Sequence, residues 1–420
     1  MSPGGRKAVI GFVIIALCAI GGVGVLLAKP WAHSAEVAGQ DELDPQLADS
    51  AVFNSALPTI TASFFEDVDS RSLVEAANQG IKRLVEEGRS GDEIVARGIT
   101  AMVDSLDDPW STYLDPKALA AVESQLTGSF SGVGIVMKSL RNEIMVDGLL
   151  PGAPAQASGI QVGDVIAEVA GQSTRNLTLS EAQQKIRGTE GTTVRLGMRR
   201  GNSSQLIYFD LVRKSIDIPV LEQSVPEPGI GLISLADWTD GIEAKLEQAL
   251  TDLQAQGVRG IVLDLRGNPG GYMSEAIKAA DLFLRSGTIV TSKGKNSSLN
   301  QEYRADGKVL CGLPLVILMD RGSASASEIF SGAMQDNARA VVVGENSFGK
   351  SSIQKIFPLS DGSGIKLTIA KYMTPSGTNI DEEGIKPDVV VSNPAFGDQD
   401  LQKEKALEIM RKMIAGQGWR

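Results

Sequence analysis

The hydrophobic pattern along the chain changes period several times. Ala8–Ala28 is an uncharged, mostly apolar run of 21 residues between Lys7 and Lys29. As a helix rising about 1.5 Å per residue it spans about 30 Å, the thickness of a bilayer's hydrocarbon core. Arg6, Lys7 and the terminal amine make the leading flank the more positive one, which predicts that flank inside and the body of the chain exported. A cleaved signal peptide is the competing expectation, with Ala32-His33-Ser34 as a small-x-small site. The length of the run favours a retained anchor within residues 1–30.

Residues 31–54 read as a linker. From 55 to 125 apolar residues recur at three- and four-residue intervals, as in LVEAANQGIKRLVEEG and DEIVARGITAMVDSL, which predicts amphipathic helices. DDPWSTYLDP then interrupts the periodicity with two prolines. These helices fit a cap on the next domain or a dimerisation surface. Over 126–214 the text becomes short strands and glycine turns with one helix at LSEAQQKIRG. Over 215–392, GIVLDLRGNPGGYMSEAIKAADLFL and GLPLVILMDRGSASASEIFSGAMQDN each read as buried strand, small-residue turn and helix, and RAVVVGE starts a third strand. Strands alternating with helices predict an α/β core with helices packed over the sheet. Residues 393–420, with LQKEKALEIMRKMIAG, read as a charged amphipathic tail that packs on the core or on a second copy of the chain.

Composition narrows the chemistry. The 420 residues carry a net charge of −11, which argues against a nucleic-acid binder that needs a basic footprint. The single histidine, His33, lies in the leader or linker, so a Ser-His-Asp triad or a histidine-rich zinc site in the body is excluded by inventory. Of the two cysteines, Cys18 sits in the apolar run and Cys311 stands apart in an apolar context, so the body has no internal disulfide. Leu17 before Cys18 is a poor fit to a lipoprotein signal.

The candidate chemistry lies between Asp320 and Gln354. Three serines, Ser323, Ser325 and Ser327, alternate with alanines at the mouth of a helix. Ser325 with Glu328 fits a capping box, a structural role worth about 1 kcal/mol. The flanking alanines leave room for a substrate, and Lys350 lies downstream with Gln354 four positions on. In a strand those two side chains share a face. Buried, Lys350 loses its proton more readily and becomes a base for Ser325; the neutral amide of Gln354 orients it without favouring the ammonium. Helix-end N–H groups at Ala326 and Gly271, with Gly270 next, are the expected oxyanion donors.

The elements S-A-S-A-S-E-I (323–329), G-E-x-x-F-G-K (344–350), Gln354, Y-M-T-P-S-G (372–377) and G-I-K-P-D (384–388) resemble those of the carboxy-terminal processing peptidases, the tail-specific proteases. Within 126–214, Phe130-Ser131-Gly132-Val133-Gly134-Ile135 and Gly163-Asp164-Val165-Ile166 resemble the carboxylate-binding loop and the G-D-x-I step of a PDZ domain. The resemblance implies a crotonase/Clp-protease-like α/β core with an inserted PDZ domain. It also implies serine endoproteolysis near substrate C-termini by a Ser325–Lys350 dyad, without metal or other cofactor. One departure is Ser351, where the family usually has glycine. The partners implied are polypeptides with free C-termini held by the PDZ groove; an adaptor protein and a homo-oligomer through the terminal helices fit the same plan. The rival expectations are a scaffold that binds C-termini without cutting them, and a lyase or hydratase on a similar core.

Overall fold

The computed structural model describes residues 43–418 apart from 127, 128, 141, 142, 176, 178, 189, 202, 204, 218, 219 and 395–398. The expected anchor at 1–30 therefore lies outside the described residues. Among those described, no helix is long and apolar enough to cross a membrane. The chain divides into two compact units: Thr127–Pro219, and the segments on either side of it together.

The first segment of the larger unit is helical: α1 (Pro45–Ala48), α2 (Ala51–Ser63), α3 (Ser70–Glu86) and α4 (Asp92–Asp104), then a short strand β1 (Thr112–Leu114) and α5 (Pro116–Leu126). Side-chain caps start α2 and α3. Ser50 Oγ accepts the Phe53 N–H and Asp69 accepts the Arg71 N–H, engaging amides that have no partner inside the helix. The helix α3 buries Leu73, Val74, Ala77 and Ile81, one stripe at helical spacing. The linker expected at 31–54 is shorter than the pattern suggested. Helix begins at Pro45, and Leu47 and Phe53 are fully buried in the main core. Few large apolar residues mark those two turns, but Leu47 and Phe53 both fill core positions.

The smaller unit contains β2 (Ser129–Gly132), β3 (Ile135–Leu140), β4 (Glu143–Leu149), α6 (Pro154–Ala157), β5 (Val165–Val169), β6 (Gln172–Ser173), α7 (Leu179–Ile186), β7 (Thr193–Arg199), β8 (Leu206–Val212) and β9 (Lys214–Asp217). Its main sheet runs β3-β4-β5-β7-β8, with β6 paired to β5, and β2 pairs separately with β9. Val133, Ile144, Val146, Ile166, Ala182 and Leu196 belong to a core of its own.

The larger unit resumes with β10 (Leu221–Glu227), β11 (Ile230–Leu235), α8 (Ile242–Ala255), β12 (Gly260–Asp264), α9 (Met273–Asp281), β13 (Thr288–Gly294) and β14 (Gln301–Arg304). It continues with β15 (Leu315–Met319), α10 (Ala326–Asp336), β16 (Ala340–Gly344), β17 (Ser352–Pro358), β18 (Gly364–Met373), β19 (Val389–Val390) and α11 (Leu401–Ile414). One six-stranded sheet runs β10-β11-β12-β15-β16-β19, parallel except at β10. The strand β15 is buried at every residue, as expected of a parallel strand covered on both faces. Leu315, Ile317 and Met319 join the main core, whereas Val316 and Leu318 join a second core with Ala406, Leu407, Ile409 and Met410 of α11. Period-two alternation thus sorts one strand between two helical layers. The second sheet of this unit runs β1-β18-β13-β14, with β17 on β18.

Candidate active site

The parallel strands β12 and β15 end side by side, and a tight turn follows each. After β12 the chain runs Gly267-Asn268-Pro269-Gly270-Gly271. Asn268 shapes this turn: its Oδ1 accepts the Gly270 N–H at 2.9 Å and its Nδ2 donates to Leu235 O at 2.9 Å. Gly270 O accepts the Trp238 N–H at 2.8 Å. The Gly270 amide is therefore engaged, whereas no hydrogen bond is made by the Gly271 or Ala326 amides among the described residues. Both glycines are required by space and by backbone. At Gly270 (φ 108°) a Cβ would lie 2.8 Å from Ser325 Cβ; at Gly271 (φ 137°) it would lie 2.3 Å from Trp238 O.

After β15 comes Asp320–Ser325, and the three serines separate by their hydrogen bonds. Ser323 Oγ donates to Leu265 O at 2.8 Å and Ser327 Oγ donates to Asn268 O at 3.1 Å, so both brace the glycine turn. Ser325 Oγ is buried and has no hydrogen-bond partner. Its backbone sits at φ 55°, ψ −112°, outside the regions comfortable for a residue with a side chain. The capping role that S-x-x-E suggests for Ser325 is only half realised. Its N–H donates to Glu328 at 2.6 Å, but the hydroxyl caps nothing.

Glu328, fully buried, joins the serine to the lysine. Oε2 accepts the N–H of Ser325 and, at 3.0 Å, that of Lys350; Oε1 accepts the Gly349 N–H at 2.7 Å and the Ser347 hydroxyl at 2.5 Å. Burial pushes the Glu328 carboxyl up, and these four donors pull it back. On the other side the Tyr372 hydroxyl lies 2.5 Å from Lys350 O and 3.1 Å from Ser325 O. The serine turn and the lysine loop are thus tied through both their amides and their carbonyls.

Lys350 is fully buried, and its Nζ lies 4.4 Å from the centre of the Trp110 ring. Burial drives its pKa well below the ordinary lysine value, helped by the charge of Lys366 and opposed by Glu328 and Asp108. Lys350 is not in a strand, as the period-two argument requires. It precedes β17, so a loop sets the relation of Lys350 to Gln354, and the β17–β18 register shift beside Gln354 places its extra residue, Ile369, on β18. Gln354 is fully buried; its Nε2 donates to Thr368 Oγ1 at 3.2 Å and its Oε1 has no partner. Ser351 needs no left-handed backbone, and its carbonyl accepts the Tyr372 N–H at 2.8 Å, so the serine is accommodated where the family pattern has glycine. Asp388 accepts the Val342 N–H at 2.8 Å and Asp264 pairs with Arg266 at 2.6 Å.

In the smaller unit the Phe130–Ile135 stretch is divided. Phe130, Ser131 and Gly132 lie on β2, paired with Ile216, Ser215 and Lys214 of β9. Val133 and Gly134 (φ 77°) form the turn, and Ile135 opens β3. The strand β3 is an edge of its sheet, with β4 on its other side.

Trp110, Asp108, Thr368, Lys366 and Tyr372 escaped the sequence argument as members of the site. One signal was available: Lys366, Thr368 and Tyr372 put polar groups into β18, a strand buried at nearly every residue that should read apolar.

Comparison with known proteins gives this arrangement a class. Residues 229–391 match Peptidase family S41 and residues 120–199 match the PDZ domain. The chain is 37% identical over 329 residues to a carboxyl-terminal-processing protease of Synechocystis sp., covering 76% of this chain and 77% of the relative. To the carboxy-terminal processing protease CtpA of Bacillus subtilis it is 34% identical over 306 residues, covering 73% of this chain and 65% of the relative. Among solved structures, the photosystem II D1 C-terminal processing protease superimposes with a TM-score of 0.53 at 28% identity, over 88% of this chain and 98% of the other. The chain belongs to peptidase family S41. It is a carboxyl-terminal-processing serine protease with a PDZ domain, and its substrates are proteins.

Proposed function

We propose that Ser325 is the nucleophile, Lys350 its general base and Gln354 the residue that orients the lysine. The observation that carries this reading is the contrast among the three serines. Ser323 and Ser327 donate their hydroxyl protons to the glycine turn, while the Ser325 hydroxyl is left without a partner on a strained backbone. Neutral Lys350 takes the Oγ proton as Oγ bonds to the scissile carbonyl carbon. The amides of Ala326 and Gly271 receive the oxyanion, each donor lowering the barrier by about 3–4 kcal/mol. Collapse breaks the C–N bond, and the leaving amine takes the proton from the Lys350 ammonium. Water, deprotonated by the same lysine, then hydrolyses the acyl-enzyme.

The free edge of β3 accepts the substrate's C-terminal segment as an added strand, and the turn at Val133–Gly134 receives its carboxylate. The apolar run Ala8–Ala28, flanked by Arg6 and Lys7, holds the enzyme in the cytoplasmic membrane with its body on the exported side. Mass spectrometry of a model polypeptide with a free or an amidated C-terminus tests both parts. The wild-type enzyme should cut the free-carboxylate form preferentially, and Ser325→Ala should cut neither. Cleavage by Ser325→Ala at the wild-type rate would refute the serine; equal cleavage of the two substrates would refute carboxylate recognition.

A further inference from the structure

Gln354 can present either end of its amide to its surroundings, and only one end suits a lysine. The hydrogen bonds around Thr368 decide which. Thr368 lies on β18 where that strand has neither β1 nor β13 beside it: β1 pairs with residues 364–366 and β13 with 370–373. The N-terminal segment fills the gap. Phe65 N–H donates to Thr368 O at 3.0 Å, and Thr368 N–H donates to Ser111 Oγ at 3.1 Å. Ser111 and Thr368 then both donate their hydroxyl protons to one oxygen, Asp108 Oδ2, at 2.5 and 2.7 Å.

A carboxylate only accepts, and a threonine hydroxyl has a single proton. With that proton directed to Asp108, Thr368 Oγ1 can only accept from Gln354. The nitrogen of the Gln354 amide must therefore face Thr368, as observed at 3.2 Å. The opposite end, Oε1, is then an acceptor, fully buried and without a partner.

Resting on the Ser325–Lys350 reading above, we infer that Asp108, Ser111 and Thr368 are positioning residues. They lock the Gln354 amide so that its carbonyl oxygen, never its NH2, is offered to Lys350. A neutral amine that must later carry a proton needs an acceptor beside it; an inverted amide would present a donor to the ammonium and oppose proton transfer. The loop between α4 and β1 thereby completes the active site, and the N-terminal helices that carry it are part of the catalytic unit.

The experiment is steady-state cleavage of a tailed substrate by the full chain bearing Thr368→Val, Thr368→Ser, Gln354→Ala and the Thr368→Val/Gln354→Ala pair, with Tm recorded for each. Thr368→Val should lower kcat about tenfold with KM nearly unchanged, and Thr368→Ser should restore most of it. In the Gln354→Ala background Thr368→Val should cost nothing further, because the hydroxyl acts only through that amide. Thr368→Val at the wild-type rate, Ser no better than Val, or a further tenfold loss in the double variant would each overturn the inference. If Gln354→Ala falls below detection, the contrast between Ser and Val decides it. Ser325→Ala in the same assay separates the two levels. Cleavage by that variant would remove the serine reading, whereas an inactive Ser325→Ala beside an unaffected Thr368→Val would remove only this inference.

Discussion

One oxygen of Glu328 accepts the backbone N–H of Lys350 at 3.0 Å while also holding that of Ser325 at 2.6 Å. The carboxylate therefore fixes the serine turn and the lysine loop against each other through their backbones. Ser347 and Gly349 occupy its other oxygen, so it receives four donors.

Replacing that carboxylate should affect structure and rate together. In Glu328→Gln the new NH2 opposes at least one of the four donors. Hydrogen bonds to a buried charge are worth about 1.5–3 kcal/mol each, so a loss of about 3 kcal/mol is expected. Thermal unfolding should show the lower Tm, and kcat/KM should fall at least tenfold in the fraction that stays folded.

The Tyr372 hydroxyl makes a parallel test with a smaller change. Tyr372→Phe removes one oxygen and leaves Ser325 O and Lys350 O without their shared donor. A loss of about 1–3 kcal/mol is expected. kcat should drop more than KM changes, since both carbonyls belong to the backbone of the proposed nucleophile and base.

The pH dependence follows from the lowered pKa of Lys350. A base must be neutral, so kcat/KM should rise with pH through the lowered value and level off above it, well before the ordinary lysine value is reached. Lys366, 96% buried on β18, lowers that pKa further by like-charge repulsion. Lys366→Gln should therefore move the rising limb to higher pH, and a pH–rate profile that stays in place would contradict this.

The same shift has a consequence for stability. Between the folded and unfolded pKa values of Lys350 the unfolded chain binds the extra proton, so stability rises with pH across that window. Lys350→Met needs no deprotonation in the fold. Its Tm should exceed the wild-type value near neutral pH, and the gap should close as pH approaches the lysine's unfolded value.

Much of the site was readable before any fold was known. Ser325, Lys350 and the glycine turn lie in segments whose strand–turn–helix pattern is local, and the absence of a second histidine removed the usual base. Gly271 is glycine because a Cβ there would meet Trp238 O, and a loop, not strand alternation, relates Lys350 to Gln354. What sequence could not supply was contact across distance. Asp108 and Thr368 are 260 residues apart, and Glu328 reaches Lys350 across 22. In the chain each reads as an ordinary surface or cap residue, and only the folded register brings them to the lysine.

The central claim is that buried, neutral Lys350 activates Ser325, and a serine-directed phosphonylating probe reads it most directly. Peptide mapping should find the adduct on Ser325, with the rate of labelling rising with pH as cleavage does and collapsing in Lys350→Met. An adduct on Ser323 or Ser327, or labelling of Ser325 at an undiminished rate in Lys350→Met, would contradict the account.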